Sequence, residues 1–410
     1  MDNFLAHNEQ TRKEMLEVVG CSTIEDLFKQ IPNVIKQFKL AEPLSELEVQ
    51  RAVKTMASKN KTDYISFLGA GVYNKFIPAA VNYVAERFEF LTAYTPYQPE
   101  ISQGTLQIIY EFQSMICRLT GMDIANASMY DASTAAAEAI LMSMRITKKN
   151  KVLVSNNINP QYKEVIKTYL WAGDFEAIWF DTLPQDLSEY SAVVYQNPDF
   201  YGELIEIKPV DTLIIVIQDL AALSILEPPR QADIVVGDVQ PAGIPMWFGG
   251  PHAGYMACKE KYMRQLPGRL VGRTIDADGN QAFTLTIQTR EQHIKREKAT
   301  SNICSNQSLI ALMCTLYLSL MGENGFKQAG MISAKRAHSL SEKLAKVGIK
   351  TLNNDFYDEF VIEVADTDAT LKLLKANGII GGLKLSDRRI LVCATEMISE
   401  ADIDKYVKSL

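Results

Sequence analysis

The stretch "ADIVVGDV" (232–239) decides the fold. The four residues between its aspartates, Ile234 to Gly237, are all nonpolar and too few for a helix. A run of this kind reads as a strand buried on both faces, the mark of a mainly parallel sheet. Its neighbours repeat the pattern. "KVLVSN" (151–156), "FEAIWF" (175–180), "AVVYQN" (192–197) and "TLIIVIQ" (212–218) precede it, and "FGGPHAGYMAC" (248–258) follows. A helix is predicted over 160–171, between the first two of these, so the region reads as a large α/β domain. The connection between "AVVYQN" and "TLIIVIQ" is short for a parallel crossover and contains Pro209. A stub helix or an irregular pairing is expected there.

Outward from this core, "GTLQIIYEFQSMICRLTG" (104–121) predicts a helix with Ile108, Ile109, Phe112, Met115, Ile116 and Leu119 on one face, closed by Gly121. An alanine-rich helix follows "SMYDAST" (128–134), a stretch that could cradle a phosphate, although Asp131 would repel one and Ser133 and Thr134 also serve as ordinary caps. Residues 9–60 read as helices punctuated by Pro32 and Pro43. "RTIDADGNQ" (273–281) reads as an exposed hairpin or loop. A long helix follows, its second half strongly apolar, and then another over 331–347. The tail alternates strand and helix, with Ser399 and Asp402 opening the last helix. The boundaries expected are a helical segment over 1–65, a large domain over 66–325 and a small α+β lobe over 326–410.

Composition narrows the classes of function. Of 410 residues 47% are hydrophobic and 22% charged, with a net charge of −7. These values describe a globular protein and argue against nucleic acid as the main partner. The polar opening carries no secretory signal, and no apolar run of membrane-spanning length is read, so a cytoplasmic protein is expected. Six scattered cysteines read as reduced thiols, Cys304 and Cys314 as core ones. Four histidines without ligand spacing make a metal site unexpected. "GAGVYN" (69–74) lacks the third glycine of a dinucleotide fingerprint.

The blocks "TAYTPYQPEISQGTLQ", "ICRLTGMDIANASMYDAST", "IPMWFGGPHAGYMACKEKYMRQLPGRLVG" and "LTIQTREQHIKREKATSNICSNQ" resemble the glycine cleavage system P-protein, and more closely subunit 1 of its two-subunit bacterial form. The resemblance covers essentially the whole chain. It implies the fold type I architecture of pyridoxal phosphate (PLP) enzymes, with a large seven-stranded domain and a smaller C-terminal lobe. It implies glycine decarboxylation with transfer of the aminomethyl group to the lipoyl arm of the H-protein. It further implies an α2β2 assembly in which subunit 2 anchors the PLP.

Matched on Ile244-Pro245, the Schiff-base lysine position falls at about Gln240, and no lysine lies between Lys208 and Lys259. An amide forms no imine, so the chain is expected to lack that lysine. The resemblance departs at Ala132, where the family pattern has glycine, at "GDVQPAG" and at the short 200–212 crossover.

Tyr94, Tyr97 and Glu100 are expected to contribute to the shared catalytic site, because Pro96 and Pro99 hold phenols and a carboxylate outside any helix. The same loop would alternatively pack as a rigid interface element. Ser102, Gln103, Gly250 and His252 are candidates to approach the partner's PLP. Arg290, His293, Thr300 and Asn302 are candidates for substrate or interface contacts, Arg290 and His293 suiting a carboxylate. The alternatives to a lysine-free subunit are a scaffold without a site and a stand-alone PLP enzyme using another lysine, such as Lys259.

Overall fold

The computed structural model describes residues 8–31, 40–91 and 94–410. These fall into two units divided between Thr62 and Asp63.

The first unit carries helices α1 (Glu9–Val19) and α2 (Glu46–Ala57). Ser45 starts α2 through a reciprocal capping box with Glu48. The predicted helix at "TIEDLF" is a 3-10 turn over Ile24–Phe28, capped the same way by Thr23 and Asp26. Pro32 lies outside the described residues.

The second unit opens with strand β1 (Ile65–Ser66) and helices α3 (Ala79–Ala85) and α4 (Phe88–Leu91). Helix α5 (Gln103–Thr120) ends on Gly121 as predicted and leads into β2 (Ile124–Ala125). Helix α6 (Ala132–Thr147) precedes β3 (Lys151–Ser155), and α7 (Pro160–Ala172) joins β3 to β4 (Glu176–Phe180). Strands β5 (Tyr190–Asn197), β6 (Leu213–Gln218), β7 (Ile234–Asp238) and β8 (Gly254–Cys258) complete a seven-stranded sheet in the order β2-β8-β7-β6-β5-β3-β4. Strands β4, β3, β5, β6 and β7 run parallel, while β8 is antiparallel to β7 and β2 antiparallel to β8.

Alternate residues of each strand face opposite sides. Ile214, Val216 and Val235 pack with Phe112 and Ile116 of α5. Ile215, Ile217, Ile234 and Val236 pack with the alanines of α6 and with Ile166 and Leu170 of α7. The continuous apolar runs thus arise because both faces are covered. The short crossover contains no stub helix. Strands β5 and β6 are direct and regular parallel neighbours, and residues 198–212 join them through a turn and a coil that makes one isolated antiparallel bridge, Glu203 to Phe356.

The "RTIDADGNQ" stretch is a hairpin of β9 (Leu270–Ile275) and β10 (Gln281–Thr286), its turn held by the Asp276 carboxylate on the amides of Asp278 and Asn280. A one-turn helix α8 (Gln292–Lys295) precedes the long α9 (Ser308–Lys346), whose backbone breaks at Gly322. Length and composition would let α9 cross a membrane, a run the sequence reading overlooked. Its residues Ile310 to Cys314 and Tyr317 are nevertheless buried in the core of the large sheet. Leu340 and Leu344 belong to a second core, that of the small lobe.

That lobe is an antiparallel sheet of β11 (Lys350–Thr351), β12 (Glu359–Glu363), β14 (Leu383–Ser386) and β15 (Arg389–Cys393). Helices α10 (Thr367–Ala376) and α11 (Glu400–Lys408) pack with it. Strand β13 (Ile379–Ile380), within the glycine-rich turn, pairs in parallel with β1. All six cysteines are free. Cys314 is buried, but Cys304, expected in the core, is exposed, because it sits in the irregular approach to α9.

Candidate functional site

In a parallel α/β sheet, ligands bind beyond the carboxyl ends of the strands. Here those ends form a small hollow of about 50 Å³ lined by Tyr73, Gln218, Asp219, Asp238, Asp358 and Glu359, among others. A second hollow of about 240 Å³ lies at the start of α6, against Asp131, Asn159, Tyr162, Asp238 and His252. Their chemistry is acidic.

Asp131 caps α6, its carboxylate accepting from the Thr134 amide at 2.8 Å and from the Ser133 hydroxyl at 2.6 Å. Asp238 Oδ2 accepts from the Ala132 amide at 3.3 Å. Two of the helix-start amides that would receive an anion, those of Ala132 and Thr134, are therefore already held by this chain's own carboxylates. His252 Nδ1 lies 3.7 Å from Asp238, which raises its pKa, and its Nε2 is buried without a partner.

Position 240 carries no nucleophile either. The Gln240 amide accepts from the Tyr73 amide at 2.9 Å and donates to the carbonyls of Tyr73 and Ile244, so all of it serves the backbone. The nearby Lys75 is buried with its Nζ 2.5 Å from Asp358. Burial opposes its charge, but Asp358, with Tyr357 and Glu396, outweighs that and holds the amine protonated. Lys259 sits at the far end of the sheet. Cys258 is in register with Ile234, whereas Asp238 at the hollow is in register with Gly254, and Lys259 Nζ pairs with Asp233 at 3.1 Å. Neither hollow fits PLP: a phosphate would meet carboxylates, and no lining residue offers a free amine.

Burial pushes the Asp219 carboxyl up to about 6 and Glu359 up to about 8. Glu359 also accepts from the Ala70 amide at 2.6 Å and the Tyr73 hydroxyl at 3.1 Å. Unfolded, Glu359 titrates near 4.5. Between the two values the folded state holds the extra proton, so its contribution to stability is full below about 4.5 and is lost as pH rises through about 8. Glu359→Gln should flatten that fall in urea midpoints measured from pH 5 to 9. An unchanged slope would refute the assignment.

The other candidates gather elsewhere. The 94–103 loop runs into a 3-10 turn at Pro99–Ile101 and then into α5. Tyr94 is 85% exposed and Tyr97 51%, and Glu100 is exposed too. The Tyr97 ring meets His293 edge-on at 5.8 Å. Gln103 spends its amide on the carbonyls of Pro99 and Phe283 and the amide of Phe283, fastening the loop to β10. Ser102 accepts the Leu106 amide through its carbonyl.

Arg290 is buried, donating to the carbonyls of Ile287 and Gly268, and its own carbonyl takes the Thr300 amide. Asn302 is exposed. Gly250 and His252 lie apart from this cluster, on the approach to β8, where Met246, Trp247 and Phe248 are exposed. The sequence reading passed over Arg269, Lys75, Asp219 and Glu359. Arg269 stands in the quoted "LPGRLVG" block, which could have flagged it. The others show no local pattern.

A seven-stranded sheet of this order, with a small C-terminal lobe and a hollow at its strand ends, defines the fold of the type I PLP-dependent enzymes. Lactobacillus brevis glutamate decarboxylase shares it, at 12% identity and a TM-score of 0.63 over 95% of this chain and 96% of that one. Within that class the chain belongs to the glycine cleavage system P-protein family, which it matches over residues 2–410. It is 44% identical to a probable glycine dehydrogenase (decarboxylating) subunit 1 of Geobacillus thermodenitrificans, covering 100% of this chain and 99% of that protein. A crystal structure of glycine decarboxylase (P-protein) in inhibitor-bound form is 39% identical and covers both chains fully, with a TM-score of 0.87.

Proposed function

We propose that this chain is the lysine-free subunit of a PLP-dependent glycine decarboxylase and supplies one wall of an active site whose cofactor is anchored by a homologous subunit 2. One observation carries the reading. The hollows at the strand ends are lined by carboxylates, Asp238 in both and Asp131 in the second, and the Gln240 amide is committed to the backbone, while a proline-stiffened aromatic loop is left at the surface. Relatives named subunit 1 support a two-subunit enzyme, which we place in an α2β2 assembly acting with the lipoylated H-protein in the cytoplasm.

Bound in the partner, PLP supplies the electron sink for loss of CO2 from glycine. This chain's residues close the site around it. Tyr94 and Tyr97 present phenols and Glu100 a carboxylate to the substrate amine, and the apolar rings exclude water from the reacting centre. His293 braces the Tyr97 ring from the side.

In the reconstituted complex, Tyr94→Phe/Tyr97→Phe should lower glycine-dependent bicarbonate exchange by roughly a hundredfold, the usual scale for positioned acid–base groups. Undiminished exchange by a fully assembled complex would overturn the reading.

A further inference from the structure

Arg269 is 4% exposed and forms no ion pair among the described residues. Its guanidinium instead spans two separate stretches of chain. Nη1 donates to Asn306 Oδ1 at 3.0 Å, and Nη2 donates to the Thr95 hydroxyl at 3.1 Å and the Cys304 carbonyl at 3.0 Å. Nε is buried without a partner. The guanidinium carbon lies 5.7 Å from the centre of the Tyr97 ring, close enough for a cation–π contact. Its backbone is fixed from below, since the Arg269 carbonyl takes the Ala127 amide at 2.9 Å.

Burying a cation without a carboxylate is costly, and a neutral side chain would fill the same space at lower cost. What a neutral side chain would not supply is the planar fork that meets a hydroxyl, a carbonyl and an amide oxygen together while lying near an aromatic ring. Thr95 and Tyr97 belong to the loop placed at the active-site wall above, and Cys304 and Asn306 to the segment leading into α9. These two stretches are about 200 residues apart in sequence and are joined here through one side chain.

We propose that Arg269 is a positioning residue for the decarboxylation, setting the height and tilt of Tyr97 by clamping the 94–97 stretch against the 304–306 segment. The inference rests on the reading of that loop as a wall of the shared site. It assigns Arg269 no contact with substrate. Its effect passes through Tyr97 and Thr95.

The test uses the complex reconstituted with its partner subunit and PLP, with glycine-dependent bicarbonate exchange resolved into kcat and KM. Arg269→Lys keeps the charge and loses the fork. It should lower kcat by roughly tenfold to a hundredfold, the scale of a small misplacement of a catalytic group, and leave KM for glycine within about twofold. Thr95→Val removes only the loop-side acceptor, leaves the buried charge in place, and should lower kcat in the same direction by less. If Arg269→Lys does not assemble, Thr95→Val alone decides.

A complex in which these variants reduce thermal stability while kcat and KM per assembled unit stay at wild-type values would overturn the proposal, making Arg269 a purely structural clamp. Should Tyr94→Phe/Tyr97→Phe abolish exchange in that same series, only the role of Arg269 fails. Should the double variant retain exchange as well, the wall itself is refuted.

Discussion

Replacing Lys75 with methionine should destabilise the protein by about 3–5 kcal/mol, the range seen when one partner of a buried ion pair is removed. The lysine stands where three stretches of chain meet. Its Nζ is 2.5 Å from Asp358 in the small lobe, 3.2 Å from the Ser333 hydroxyl on α9 and 3.5 Å from Glu396. All three of its charged members are nearly inaccessible, with side-chain exposures of 5%, 7% and 8%.

Glu396 has other ties. Ser333 donates to Glu396 at 2.6 Å, and the Phe76 amide donates to Glu396 at 2.8 Å. These bonds keep Glu396 in place when the cation is gone, and Asp358 is itself buried, so the variant retains buried negative charge instead of relaxing it to solvent. Asp219 and Glu359 add to the same electrostatic neighbourhood, where burial already raises the pKa of Asp358.

Urea unfolding of Lys75→Met against wild type measures the loss, and Lys75→Met/Asp358→Asn should recover a substantial part of it by neutralising the nearest acid. A loss below about 1 kcal/mol, or no recovery in the double variant, would show that the cluster tolerates its own unbalanced charge.

This cluster also marks where the sequence stopped being readable. The strands were legible because Ile214 to Ile217 and Ile234 to Val236 are buried on both sheet faces, which leaves an unbroken apolar run. Helix α5 was legible because its buried face recurs at helical spacing and Gly121 ends it. A cap before α6 was legible because capping is local, although the acceptor is Asp131, three residues from the Thr134 amide, and not the expected Ser133 or Thr134. Lys75 and Asp358, by contrast, are 283 residues apart, and Tyr73 and Gln240 are 167 apart. No periodicity connects them.

The absence of lysine at 240 could be read from the chain, but not what the glutamine does instead, since its three partners are backbone atoms. For Arg269 only its place in the "LPGRLVG" block was a signal; what it holds left none, because its acceptors are a hydroxyl, an amide and a carbonyl, none of which leaves a charge pattern. No stub helix formed in the crossover because the 198–212 coil is satisfied partly by the other lobe. The Leu204 amide donates to the Asp355 carbonyl at 3.0 Å, and the Glu203 carboxylate accepts from the Asn354 amide at 3.1 Å. A helix was unnecessary once those partners existed.

That same coil supports the second large effect. Gly202→Ala should cost about 2–5 kcal/mol, the sum of two separate penalties. Gly202 has φ +85°, a region where a Cβ adds about 1–2 kcal/mol. The added Cβ would also collide with the Glu359 carbonyl oxygen and lie 2.7 Å from its carbonyl carbon. These are backbone atoms of β12 and cannot rotate aside, so the collision costs about 1–3 kcal/mol more.

The damage should fall on the junction between the lobes. Asp199 Oδ1 holds the turn through the amides of Tyr201 and Glu203, and the Tyr201 carbonyl takes the Asn353 side chain at 2.9 Å. Pushing the loop away from β12 strains these bonds together and opens the acidic hollow that Glu359 helps to line.

Gly279→Ala provides the control. Gly279 also has a left-handed φ, +83°, but nothing lies within 4 Å of the added Cβ. It should therefore lose only the backbone share, about 1 kcal/mol. The difference between the two variants in urea unfolding isolates the contact between the 199–204 turn and the small lobe. Equal losses would mean that β12 yields freely, and that the two lobes are not locked through this turn.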